Sequence, residues 1–136
     1  RAVLIDTSVW IDFFNGHGSA AAQLLAALIA DGEPIEIPGI VLVEVLSGLR
    51  SDAEAARIGH LLEAFDDLPE ADRGDCLEAA RIFRACRSRG HTIRSTVDCL
   101  IAQGCLRHDL VLLTKDRDFR AIAECTGLRL VELLST

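Results

Sequence analysis

Two short, continuously apolar runs constrain this chain most. Val3-Leu4-Ile5 ends directly in Asp6, and Leu110-Val111-Leu112-Leu113 is followed by Thr114-Lys115-Asp116. Runs of this length, closed by polar residues, read as strands buried on both faces. Strand and helix signals alternate along the rest of the chain, which predicts an α/β fold: a three-layer sandwich with a central, mostly parallel sheet flanked by helices. Parallel strands need right-handed crossovers, and such sheets bind ligands beyond the carboxyl ends of their strands. If the two apolar strands are neighbours, Asp6 and Asp116 share one crevice.

The remaining elements follow from caps and breakers. Ser8 is the expected N-cap of a short helix over Val9 to Phe14, and Ser19 to Ala30 is a second helix closed by Asp31-Gly32. Ile35 to Ile37 reads as a strand, with Pro38 opening a helix over Gly39 to Leu49. Further helices are expected over Asp52 to Glu63, over Asp72 to Arg89, and from a Ser95 or Thr96 cap to about Arg107. Phe65 to Leu68 is a short strand, Asp118 to Cys125 a short helix, and Leu128 to Glu132 a final strand. No linker or repeat divides residues 1–136, so a single domain is expected.

Half of the 136 residues are apolar, enough for a core and against disorder, yet no stretch is long enough for a membrane span. Arg1 to Asp6 has neither the apolar length nor the cleavage site of a secretory signal, and the absence of methionine predicts a native start other than Arg1. Five cysteines without a C-x-x-C pair (Cys76, Cys86, Cys99, Cys105, Cys125) point to buried reduced thiols and a cytoplasmic setting. The net charge of -7 sits wholly in residues 44–80, with ten acids and three arginines, whereas residues 81–94 hold Arg81, Arg84, Arg87, Arg89 and Arg94 and no acid. Those arginines form either a solvated helix face or a patch for an RNA backbone. Phe83 is the single aromatic among them, short of the row of rings that a stacking platform needs, so base stacking is not expected there.

Asp6, Glu44, Asp98 and Asp116 are the candidate catalytic acids. Each lies within or at the end of an apolar segment, where a carboxylate is costly unless something uses it. Glu44 interrupts Val41-Leu42-Val43 and Val45-Leu46, so the helix offers it no polar face. Asp98 falls in a first helical turn, where the dipole alone would favour an anion. Two carboxylates at 4 Å repel by roughly 4 kcal/mol at an effective dielectric of 20, so a cluster of four must hold protons or bind cations. An all-oxygen set with no His or Cys in a ligand pattern selects Mg²⁺, with Mn²⁺ able to substitute, over Zn²⁺. The hydroxyls of Thr7, Ser8, Ser95, Thr96 and Thr114 lie within three residues of an acid, placed either to orient metal waters or to cap and turn the chain.

These pieces resemble a known family. Val3-Leu4-Ile5-Asp6-Thr7-Ser8-Val9-Trp10-Ile11, Val43-Glu44-Val45-Leu46-Ser47-Gly48-Leu49, Thr96-x-Asp98-x-x-Ile101-Ala102 and Leu112-Leu113-Thr114-x-Asp116-x-Asp118-Phe119 are similar to PIN domains, and more narrowly to VapC-type toxins of bacterial toxin–antitoxin pairs. The resemblance runs through nearly the whole chain in the family's order. It implies a PIN-like sheet and a Mg²⁺- or Mn²⁺-dependent endoribonuclease that inhibits translation. Asp6, Asp98 and Asp116 would be metal ligands, with Glu44 binding directly or through water. Asp118 would be an auxiliary acid or the cap of the helix at Phe119, and Thr114 a supporting hydroxyl. One departure is Gln103-Gly104, where small alanines are more usual; Gly104 is expected to weaken its helix by about 1 kcal/mol relative to Ala.

Hydrolysis by such a site would leave 5′ phosphate and 3′ hydroxyl ends, with Asp6 the least replaceable acid. The resemblance also implies a cognate antitoxin and a homodimer, open to a higher toxin–antitoxin assembly. Trp10, Phe13 and Phe14 are expected to be partly core, with one or more lining a groove for a partner helix. A haloacid-dehalogenase-type phosphatase would need a second Asp where Ser8 stands, and a receiver domain an early acidic pair that is missing. The remaining alternative is a catalytically silent PIN-like module that binds RNA or protein.

Overall fold

The computed structural model describes residues 1–133. Four strands form one parallel sheet in the order β3-β2-β1-β4: β1 Val3–Ile5, β2 Ile35–Pro38, β3 Asp66–Leu68 and β4 Val111–Leu113. Seven helices connect and cover them: α1 Thr7–Phe14, α2 Ala20–Ala30, α3 Gly39–Ser47, α4 Asp52–Leu62, α5 Arg73–Ser88, α6 Thr96–His108 and α7 Arg117–Cys125. The two strands read as doubly buried are adjacent, with Val3, Leu4 and Ile5 opposite Val111, Leu112 and Leu113. All three residues of β1 are buried, which requires cover on both faces.

The helices pack as two groups. Helix α1 touches α2 and α3, and α3 touches α4; α5, α6 and α7 contact one another. Leu4, Ile5, Val9, Leu25, Ile58, Ile82, Leu112, Leu113, Phe119 and Ile122 are fully enclosed between these layers. Enclosing a side chain of this size contributes roughly 1.5–3 kcal/mol.

Three expectations change. Helix α1 starts at Thr7 and is capped by Asp6, not Ser8; the Ser8 hydroxyl instead donates to Asp6 Oδ2 at 2.7 Å. The final strand reduces to a single parallel bridge, Leu112 to Leu130, because the three-residue β4 offers no longer edge to pair with. The thiols of Cys86, Cys99 and Cys105 are buried and Cys125 half-buried, but Cys76 is exposed on α5. Burial pushes Cys86 and Cys105 up to about 12 and Cys99 to about 11, so these sulfurs stay protonated and are poor metal ligands. No helix among the described residues is long and apolar enough to cross a membrane.

Candidate active site

The site is built at the carboxyl ends of β1 and β4. The Asp6 N–H donates to the Leu113 carbonyl at 2.9 Å, which pins the end of one strand to the other. Asp6 is only 5 % exposed. Its Oδ1 accepts the Thr7 N–H at 2.9 Å, while Oδ2 accepts the hydroxyls of Ser8 at 2.7 Å and Thr114 at 3.0 Å. Burial raises the Asp6 pKa, and these three donors only partly offset it. Both lone pairs of Oδ2 are taken, leaving Oδ1 with one for a further partner.

Asp116 caps α7, and its N–H donates to Thr114 Oγ1 at 3.0 Å. Asp116 Oδ1 accepts the Asp118 N–H at 2.9 Å and the Arg94 Nη2 at 2.7 Å. Asp118 is buried, and its Oδ2 accepts the Arg94 backbone N–H at 3.1 Å and Nε at 3.0 Å. Burial works against the Asp118 carboxylate, but the Arg94 backbone and guanidinium outweigh it and hold the pKa below its usual value. Asp118 is therefore not the helix cap; it anchors Arg94. Arg94, read from the sequence as an RNA contact, sits among the acids as their counter-charge.

Asp98 lies half-buried in the first turn of α6, whose cap is Ser95. Its pKa is pushed up to about 7, first by burial and then by the charges of Asp6, Asp116, Asp118 and Glu44. All four expected acids thus converge with Asp118 on one electrostatic site. Carboxylate oxygens of Asp98, Asp116 and Asp118 come within 4.8 Å of one another. Glu44 is exposed, not buried as its apolar helix suggested, because α3 buries only Val41 and Val45 and leaves Val43 58 % exposed. The Thr7 hydroxyl holds it, donating to Glu44 Oε1 at 2.7 Å.

The α5 arginines are mostly committed elsewhere. Arg81 pairs with Glu78, Arg89 Nη1 donates to the Glu124 carbonyl at 3.1 Å, and Arg87 lies 5.7 Å over the Phe83 ring. Trp10 is 1 % exposed and packs against Phe13, Phe14 and Phe65, so its ring is core and not a groove wall. Its Nε1 is buried without a partner. Phe13 and Phe14 stay half-buried. Sequence reasoning passed over Lys115, whose Nζ meets the buried Asp12 Oδ2 at 2.6 Å and braces the β4–α7 turn against α1. It also passed over Arg117, which lines a groove with Ser8, Arg94, Lys115 and Asp116. The alternation Lys115-Asp116-Arg117-Asp118 was the available signal.

Residues 3–124 match the PIN domain model. The chain is 40% identical over 134 residues to VapC ribonuclease Mb1587 of Mycobacterium bovis, spanning 93% of this chain and 96% of that protein. Ribonuclease VapC11 of Mycobacterium tuberculosis matches to the same extent. Among solved structures, VapBC2 from Rickettsia felis, bound to a DNA fragment from its promoter, superposes with a TM-score of 0.74 at 18% identity, covering 96% of this chain and 98% of that one. VapBC-1 from nontypeable Haemophilus influenzae gives 0.72 at 20% identity, over 97% and 98% of the two chains. At these identities the two structures speak to the fold alone.

Proposed function

The chain belongs to the PIN-domain family, and from that premise we propose that it is a metal-dependent endoribonuclease of the VapC toxin type, acting at Asp6, Glu44, Asp98 and Asp116. The observation that carries this reading is the gathering of carboxylates around the half-buried Asp98, with oxygens of Asp98, Asp116 and Asp118 within 4.8 Å of one another. Burial first, and then the charges of Asp6, Asp116, Asp118 and Glu44, push the Asp98 pKa up to about 7. Charge this concentrated, in an all-oxygen donor set, fits a hard dication, Mg²⁺ or Mn²⁺. Asp98, Asp116 and the open lone pair of Asp6 Oδ1 would hold it, with Glu44 binding directly or through water. Asp118 keeps Arg94 in place.

When bound, the dication lowers the pKa of water and offsets charge on the phosphate. The protein's share is orientation. Thr114 and Ser8 fix Asp6 Oδ2, Thr7 aims Glu44, and Arg94 turns Asp116. Water attack in line with the 3′ oxygen leaves 5′ phosphate and 3′ hydroxyl ends. The relatives' names are those of VapC ribonucleases, and the proposal extends to a cytoplasmic toxin whose RNA cleavage restrains translation. Its partners would be a cognate antitoxin, packing beside Phe13 and Phe14, and a second copy of this chain. A basic antitoxin side chain reaching the acids would meet their excess negative charge.

Cleavage of total bacterial RNA by the purified chain tests this, with Mg²⁺, Mn²⁺ or EDTA, beside Asp6→Asn, with the new ends mapped. Discrete metal-dependent cuts with 5′ phosphates, absent from the variant, are expected. Cyclic phosphate ends, or cleavage that survives Asp6→Asn, would refute the assignment.

A further inference from the structure

A groove of about 360 Å³ opens beside the acids, lined by Ser8, Arg94, Lys115, Asp116 and Arg117. It is continuous with the site, because Ser8 holds Asp6 and Asp116 belongs to both. Three of its five lining side chains are cations. This placement answers a difficulty of the proposed chemistry: a polyanion must approach five carboxylates and needs positive charge on their flank.

The cations differ in what they can still bind. Lys115 is engaged by Asp12. Arg94 uses Nε and Nη2 on Asp118 and Asp116, which fixes the guanidinium and leaves the Nη1 edge unpaired among the described residues. Arg117 is exposed and forms no ion pair among the described residues. A guanidinium already held by two carboxylates loses little freedom on taking a phosphate, and its planar fork matches phosphate oxygens.

We propose that this groove is the subsite for the RNA phosphate next to the scissile one, with Arg117 and the Nη1 edge of Arg94 as its donors. The inference rests on the ribonuclease reading for the identity of the polyanion. It moves the RNA path from the α5 arginines to the turn between β4 and α7.

The test is binding of a fluorescein-labelled single-stranded RNA of mixed sequence, followed by anisotropy over a range of ionic strength with Ca²⁺ in place of Mg²⁺. Arg117→Ala should weaken the Kd roughly fivefold and make the salt dependence shallower by about 0.7 in slope, the loss of one phosphate contact on a single strand. Arg117→Lys should restore the slope. Arg57→Ala, which removes an equal charge from the exposed face of α4, should change neither. In cleavage assays Arg117→Ala should raise KM by more than it lowers kcat. Unchanged RNA binding by Arg117→Ala, or a larger loss in Arg84→Ala, would overturn the subsite while leaving cleavage by the unaltered chain intact. RNA binding that depends on Arg117 in a chain that cuts nothing would support the subsite and sink the ribonuclease reading. No RNA binding at all would sink the subsite.

Discussion

Thr114 donates its hydroxyl to Asp6 Oδ2 at 3.0 Å, joining residues 108 positions apart in the chain. Thr114 Oγ1 in turn accepts the Asp116 N–H, so one buried side chain sets the spacing of two candidate ligands. Thr114→Val keeps the shape and removes both bonds. It leaves a buried acceptor and a buried donor short of a partner, which should lower stability by about 1–3 kcal/mol. Cleavage should fall by about 10- to 100-fold, the usual consequence of losing a group that orients a metal ligand. Urea unfolding and initial cleavage rates check the two effects separately; wild-type rates in Thr114→Val would show that the hydroxyl does not position the acids.

Arg94 is a cation bound to the groups that would hold a cation. Arg94→Gln removes that competition and the aim of Asp116 together, so affinity and activity should move in opposite directions. Mn²⁺ should bind tighter by about fivefold, the effect of roughly 1 kcal/mol of relieved repulsion, while cleavage slows. Mn²⁺ electron paramagnetic resonance reads the affinity without turnover. Weaker Mn²⁺ binding in Arg94→Gln would mean that aiming Asp116 outweighs charge competition.

The raised pKa of Asp98 makes the metal-free protein sensitive to pH near neutrality. The folded chain keeps the Asp98 proton up to about pH 7, whereas an unfolded aspartate releases it near 3.8. Between those values the folded state binds more protons, so stability must fall as pH rises through the window and level off above it. Asp6, also raised, acts in the same direction. Unfolding in EDTA at a series of pH values should show this decline. Asp98→Asn should flatten it and make the metal-free protein more stable than wild type at pH 8. An equal slope in the variant would place the titration elsewhere.

Much of this was legible because the chemistry lies in local runs. Val3-Leu4-Ile5-Asp6 and Leu112-Leu113-Thr114-x-Asp116 announce both a buried strand and the acid at its end, and parallel pairing then forces the acids together. What escaped depends on partners distant in sequence. Asp6 became the α1 cap because Ser8 and Thr114 both turn their hydroxyls onto it, a competition invisible before β1 and β4 are side by side. Glu44 looked buried because its neighbours are apolar, but α3 fully buries two valines only, and its other apolar side chains are at most half-buried. Arg94 read as one more basic residue after α5, since nothing local reveals that its backbone and side chain both meet Asp118.

Gln103-Gly104 looked like a weak point in α6, yet both residues have a packing reason. Gln103 Nε2 donates to Asp75 Oδ1 at 3.2 Å, and after the Asp72 backbone N–H it is, with Arg107, part of the network that holds Asp75 down to about 2. A Cβ on Gly104 would lie 3.1 Å from Leu68 Cδ2, so the glycine lets β3 approach α6. Ala at this position gains about 1 kcal/mol of helix propensity but must displace the Leu68 methyl. Leu68 borders a cavity of about 350 Å³ and has room to move, so the two effects nearly cancel. Gly104→Ala should leave stability within about 0.5 kcal/mol of wild type, far short of the full propensity gain. Gly104→Val, with two more methyls against Leu68, should cost about 1–3 kcal/mol. Urea midpoints decide it: a full 1 kcal/mol gain in Gly104→Ala would show that Leu68 yields freely and that the glycine serves no packing role.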